Sequence, residues 1–276
     1  MRRPIAILTL VLAGCTPTGG TAITTTTTAE TTPSGTPATA PVVLDGDSLR
    51  VAAGGGEVEV RLLGINAPER GECWADEARR ALETAVAGQT LTIVGEERDQ
   101  FDRLLAYVYA GPSNVNRQLI IEGHALTVAT NHDQLPDFLA AEEEAVALER
   151  GLWSPTVCGS TGEGSGVRIW AIEPDAPGRD DRNPNGEFVA IANEGAAIDL
   201  TGWMLRDESS THRFTFPEGF VLGTGEIVTV RSGCGEDAPP ELYWCADGTV
   251  WTNSGDTVLL LDAAGAVVDR LRYLGD

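Results

Sequence analysis

The chain has 276 residues, room for one large or two modest domains, and 42% of them are apolar, an ordinary share for a globular protein. Its charge is not ordinary: 19 basic residues, every one an arginine, stand against 41 acidic ones, for a net of -22. Such a body repels polyanions at long range, which excludes a generally basic nucleic-acid-binding surface and leaves only a local site built from particular arginines. The excess is spread evenly, with 20 acids and 9 bases over residues 41–160 and 20 and 8 over 161–276, and it reads as adaptation for solubility, including in salty water.

The chain starts MRRPIAILTLVLAGC, with Arg2 and Arg3 ahead of a short apolar run that ends Leu12-Ala13-Gly14-Cys15. The run is too short to span a bilayer and reads as a signal peptide over residues 1–15. Small residues directly before a cysteine resemble the bacterial lipobox. That resemblance implies lipidation of Cys15 and an extracellular protein anchored to the cell membrane; the alternative is plain secretion with Cys15 incidental. Residues 16–41 are Thr-, Pro-, Gly- and Ala-rich with one charge and no periodicity, as expected of a disordered spacer.

Residues 42–157 read as a first domain of strands followed by helices. PVVLDGDSLRVAA and EVEVRLLGI are alternating strands joined at Gly54-Gly55-Gly56, a hairpin signal. WADEARRALETAVAG spaces Trp74, Ala78, Ala81, Leu82 and Ala85 helically and stops at Gly88. QTLTIVGEE and RLLAYVYAG are further strands, and VNRQLIIEGHA and LPDFLAAEEEAVALERGLW are two more amphipathic helices. A Gly/Ser-rich linker over 158–166 follows. Residues 167–276 show no convincing helix; EFVAIANEG, LTGWMLRDES, HRFTFPEG, EIVTVRSG, DTVLLLDAAG and AVVDRLRYL are short strands that predict a β-sandwich with Trp203, Phe216 and Trp251 in its core.

Four cysteines remain beyond Cys15, and four allow three connectivities. Cys73 and Cys158 bracket the first domain, and Cys234 and Cys245 lie close together in the second, so 73–158 with 234–245 is the economical pairing. A zinc site is the alternative, but no C-x-x-C occurs and His124, His132 and His212 are not near the cysteines in sequence.

The stretch VRLLGINAPERGEC carries the chemistry. On its strand Val58, Val60 and Leu62 take one face and Arg61 the other, where a part-buried guanidinium needs an anion. Pro68 restricts the backbone just before Glu69 and so fixes that carboxylate at a strand-to-loop transition. Upstream, Asp45 and Asp47 fall in a strand context that disfavours aspartate, which invites a cation. Downstream, Arg103 opens another strand. Two acids for a metal, two arginines and one free carboxylate are the minimum for hydrolysing a phosphodiester. Singly, each has a plain structural reading: a bulge at Asp45 and Asp47, an Arg61 pair with Glu59 or Glu69, a surface charge at Arg103.

Together, VLDGDSLRV, VRLLGINAPE, DRLLAYVYAG, VNRQLIIEGHA and AEEEAVALERGLWS follow the order of the thermonuclease (staphylococcal nuclease-like) family, which this half of the chain resembles over about 42–155. The resemblance implies a mostly β fold, a five-stranded OB barrel with three helices, and calcium-dependent hydrolysis of DNA and RNA to 3′-phosphate products. It assigns Asp47 as a calcium carboxylate with Asp45 behind it, Arg61 and Arg103 as phosphate-binding arginines, and Glu69 as general base. Asn66 stands where the family often has a second calcium aspartate; its amide oxygen and the Ala67 carbonyl remain hard donors, but one negative charge is gone. Gln100, Phe101 and Asp102 replace a cation-bearing run, and no tyrosine occurs around Ala129 and Asn131. The second half, through GWMLRD and WTNSGDTVLLLD, resembles the lamin tail domain, an immunoglobulin-like sandwich whose ligand the sequence does not identify. The expectation is a monomeric, lipid-anchored nuclease, and the alternative a non-catalytic surface-binding protein with a degenerate nuclease domain.

Overall fold

The computed structural model describes residues 33–160, 165–179, 182–209 and 211–275. The expected leader, Cys15 and the first part of the spacer lie outside the described residues. Among the described residues no helix is long and apolar enough to cross a membrane.

The first half contains β1 (Thr36–Val43), β2 (Ser48–Ala53), β3 (Gly56–Leu62), β4 (Ile65–Asn66), β5 (Leu91–Val94), β6 (Leu104–Ala110), β7 (Ser113–Asn114) and β8 (Leu126–Thr127). Its helices are α1 (Ala75–Val86), α2 (Val115–Ile121) and α3 (Leu135–Ala147). The sheet runs β3-β2-β1-β5-β6, and a parallel pairing of β3 with β6 closes it into the expected five-stranded barrel. Closure leaves those strands without an open edge. Leu49, Val51, Val60, Leu62, Leu91 and Val108 fill it, and α1 caps it with Ala78, Leu82 and Val86, one helical turn apart.

Two local expectations change. The expected spacer runs to residue 41, yet Thr36–Val43 is a strand between β2 and β5, with Ala38 fully buried. Small and β-branched side chains suit a strand whose partners on both sides supply the apolar bulk. Asp45–Asp47 sit in a bend between β1 and β2, not in a strand. The hairpin between β2 and β3 turns at Gly54 and Gly55, with φ of 61° and 86°, values that favour glycine.

The second half contains β9 (Val167–Glu173), β10 (Phe188–Asn193), β11 (Ile198–Asp199), β12 (Met204–Arg206), β13 (Arg213–Thr215), β14 (Val221–Leu222), β15 (Ile227–Arg231), β16 (Glu241–Tyr243), β17 (Gly255–Leu261) and β18 (Val267–Leu274). Sheets β16-β15-β10-β9 and β13-β12-β17-β18 face each other, beside a small β11–β14 ribbon. Trp203, Phe216 and Trp251 are buried between them as expected, with Ile191, Leu205, Val228 and Val258.

Residues Thr31–Asp276 form one compact unit. The reason lies in β17, which is buried along its whole length. Val258 and Leu260 enter the sandwich core, while Leu259 and Leu261 pack on Leu126 and Leu152 of the first half, with Trp74, Trp153, Met204 and Val267 around them. Below this apolar seam, fully buried Glu142 of α3 meets Arg272 at 2.8 Å and Arg270 at 3.3 Å, both from β18. Disulfides join Cys73 to Cys158 and Cys234 to Cys245. They leave no thiolate at those four positions for the zinc alternative.

Candidate active site

The bend before β2 brings the first two acids together. The Asp47 backbone N–H donates to Asp45 Oδ1 at 3.1 Å, a local turn that aims the Asp47 side chain inward. Gly46 lies so close to Ala67 and Ala78 that an added Cβ would stand 2.6 and 2.8 Å from their methyl carbons. The bend is therefore pressed against α1 and the segment that carries the other candidates.

Asp47 is buried, and both of its carboxylate oxygens have partners. Oδ2 accepts from the Ala67 backbone N–H at 2.7 Å and meets Arg61 Nη2 at 3.0 Å, and Oδ1 accepts from Ser48 Oγ at 3.2 Å. Burial pushes its pKa up to about 6; the Arg61 charge opposes this and Asp45 adds to it. Arg61 thus takes Asp47 as its anion; Glu59 pairs with Arg50 instead. Its guanidinium is also pinned by Nη1 donating to the carbonyls of Leu62 and Ile65, at 2.9 and 2.8 Å. Nη2 further donates to Asn66 Oδ1 at 2.8 Å.

Arg61, Asp47, Asn66 and Ala67 are therefore one bonded group. Asn66 and Ala67 are both buried, and the other end of the Asn66 amide donates to the backbone carbonyl of Glu208, 142 residues away, at 2.8 Å.

Glu69 and Arg103 stand outside that network. Glu69 is exposed in a tight loop: its N–H donates to Glu72 Oε2 at 2.7 Å, and the Glu72 N–H returns to the Glu69 carbonyl at 2.9 Å. The Cys73–Cys158 bond holds the far end of the loop. Arg103 precedes β6. In the parallel β3–β6 register Arg61 lies opposite Leu105, and Arg103 stands two residues earlier, just before the strand. The Arg103 Nε donates to Asp99 Oδ2 at 2.7 Å, and its guanidinium lies 5.4 Å from the centre of the Phe101 ring. Burial pulls the Asp99 carboxyl upward, but hydrogen bonds from Arg103 and from the Phe101 backbone prevail and hold it below the ordinary value.

Among the described residues no three His, Cys, Asp or Glu converge as a metal cluster. A cation would therefore rely on Asp47 and Asp45 supplemented by the Asn66 amide oxygen and the Ala67 carbonyl. That all-oxygen set suits a hard divalent ion, and a buried carboxylate whose ionisation is opposed by burial gains most from one. A recess of about 230 Å³ opens beside it, lined in part by Asp45, Pro68, Arg70, Asp76 and Arg79.

In the sequence Phe101 stands out only as part of a run without a cation, and the residues that reach the site from the second half do not stand out at all. Phe101, 70% exposed beside Arg103, offers an aromatic face of the kind on which bases stack. Its signal was an apolar ring in an otherwise polar turn. Glu208, Arg206 and Arg213 arrive from the second half, with Arg213 meeting Glu72 at 2.5 Å, and nothing local in the sequence marks them. His124 accepts from Trp74 Nε1 at 3.0 Å, and its ring stacks on the indole, a packing role.

Comparison with known proteins adds lineage to this geometry. Residues 59–155 match the family model "Staphylococcal nuclease homologue", and residues 160–275 match "Lamin Tail Domain". An uncharacterized endonuclease of Escherichia coli O157:H7 is 34% identical over 113 residues, which cover 41% of this chain and 73% of that protein. One from Haemophilus influenzae is 31% identical over 114 residues, covering 41% and 63%. A probable staphylococcal-like nuclease of Oryza sativa subsp. japonica, CAN3, is 35% identical over 95 residues, covering 34% and 25%. With its closed barrel, its three helices and these relatives, the chain belongs to the staphylococcal nuclease homologue family and carries a lamin tail domain behind the nuclease domain.

Proposed function

We propose that this chain is a calcium-dependent nuclease, exported and held at the cell surface through Cys15, which hydrolyses phosphodiester bonds of DNA and RNA to 3′-phosphate products. The observation that carries the reading is the bonded group of Asp47, Arg61, Asn66 and Ala67, with Arg103 two residues before the β6 position that faces Arg61.

The chemistry follows from what each group can donate or accept. Arg61 and Arg103 present planar N–H forks that bind non-bridging phosphate oxygens and offset the charge that grows on them in the transition state. Arg61 is held by two backbone carbonyls, so its fork stays oriented when a phosphate competes with Asp47 for Nη2. Exposed Glu69 takes a proton from the attacking water. Phe101 stacks an unpaired base beside Arg103, which favours single-stranded substrate. Calcium, held by Asp47, Asp45, Asn66 and the Ala67 carbonyl, supplies Lewis-acid charge neutralisation when bound.

The test is cleavage of single-stranded DNA by the full chain with calcium, with EDTA, and with Glu69→Ala. Cleavage that needs calcium and falls about 100-fold or more in Glu69→Ala supports the reading. Absence of cleavage under every metal condition would return the chain to a surface-binding role.

A further inference from the structure

We propose that the lamin tail half is a positioning part of the active site: Arg213 sets the loop of Glu69 through Glu72, and Glu208 sets Asn66. This rests on the nuclease reading above and extends it to residues outside the matched nuclease segment.

The first relay runs through one carboxylate. Glu72 Oε1 meets Arg213 of β13 at 2.5 Å, and Glu72 Oε2 accepts from the Glu69 backbone N–H at 2.7 Å. The amide of the candidate general base is thus tied, in two bonds, to a guanidinium from the other half. The loop needs such a hold. Glu69, Arg70 and Gly71 are exposed, and Gly71 takes a φ of 89°. A general base works only while its carboxylate stays within hydrogen-bond reach of the water it deprotonates.

The second relay explains an amide where a carboxylate was expected. Asn66 uses Oδ1 on Arg61 and Nδ2 on the Glu208 carbonyl. An aspartate here would set one acceptor against another, with no proton between them, at a buried position. The lost charge at 66 is the condition for docking. Glu208 then reaches across the β4–β8 ribbon, its Oε1 accepting from the Ala129 N–H at 2.7 Å and its Oε2 from Thr257 Oγ1 at 2.8 Å. Arg272 reaches the Thr127 carbonyl of the same ribbon at 3.2 Å. Both strands flanking the site are gripped from the lamin tail side.

The contact to test is the Arg213–Glu72 pair, whose side chains are 36% and 20% exposed, so neither substitution opens a core. With the full chain, calcium and single-stranded DNA, Arg213→Ala is expected to lower kcat about tenfold with KM within about twofold, since a displaced base costs the chemical step and not substrate binding. Arg213→Lys restores part of the loss. Glu72→Ala costs about as much, and the double variant no more than either alone. Hydrogen exchange at the 69–72 amides, which needs no activity, is expected to quicken about tenfold or more in Arg213→Ala. An inactive wild type sinks the nuclease reading and the catalytic meaning of the contact with it. An active wild type whose kcat survives Arg213→Ala, or whose loop exchange does not move, overturns the positioning role alone.

Discussion

Asn66 is bonded at both ends of its amide, and what it accepts matters as much as what it donates. Asn66→Asp gains a carboxylate beside Asp47, whose own ionisation is already opposed by burial and by Asp45. The buried acceptor clash is expected to cost about 1–3 kcal/mol, read as a lower midpoint in urea with an unchanged m-value. A variant as stable as the parent would detach residue 66 from docking. Phe101→Ala removes a stacking face worth about 1–3 kcal/mol per base, so KM for single-stranded DNA is expected to rise about tenfold while kcat holds. An equal KM would return Phe101 to the role of a mere cover for Arg103. Asp256 gives a pH signature. Burial pushes its carboxyl from an ordinary 3.8 up to about 6, with Asp207 adding repulsion. Between those values the folded chain holds a proton that the unfolded chain releases, so the folded state gains stability as pH falls through the interval and loses it as pH rises. Thermal melts from pH 7 down to about 4 are expected to show that gain, and Asp256→Asn to reduce it, the remainder coming from Asp47, whose carboxyl burial also pushes up to about 6. A slope unchanged in the variant would assign it to the other buried acids, Asp47 and Glu208.

At the scale of elements, β17 decides how the halves relate. Antiparallel strands with one wet face alternate; VLLL does not, because Val258 and Leu260 face one core and Leu259 and Leu261 the other. Leu261→Ala is expected to cost about 2–4 kcal/mol and to separate the unfolding of the two halves, visible as a second transition in calorimetry. A single, merely lower transition would place the coupling elsewhere. That unbroken run was legible as a strand, though its double burial was not. The barrel strands, the hairpin and the helices were legible because alternation and 3.6-residue spacing are local. β1 was not, since TPATAP has no apolar alternation and is made a strand by its neighbours. The DGD bend hid for the opposite reason: aspartates between apolar runs look like strand until the turn closes. Of the candidate site, Asp47, Arg61, Glu69 and Arg103 are legible as motif residues. Glu208, Arg213 and Arg272 are not, because the first-half groups they touch lie 79 to 145 residues away and no local pattern announces them.

For the whole molecule, the net charge of -22 sets the conditions of encounter with a polyanionic substrate. Repulsion by the body weakens as salt screens it, while Arg61 and Arg103 act at contact distance. Cleavage rates are expected to hold or rise from about 10 to 150 mM salt, and a steep fall from the lowest salt upward would show that the local arginines dominate the approach.

The Cys73–Cys158 bond closes an 85-residue span that starts beside the Glu69 loop and ends where the chain crosses to its second half. Reducing it releases the loop and the crossing point together, and a closure of that size is worth about 4–5 kcal/mol in the chain-entropy view. On the exported route proposed above, the producing cell would handle the chain with its thiols apart, in a compartment full of its own RNA and DNA. Activity measured with and without dithiothreitol is expected to differ severalfold. On that reading the bond forms only in an oxidising compartment, so the Glu69 loop and the crossing to the second half would be fixed together after export.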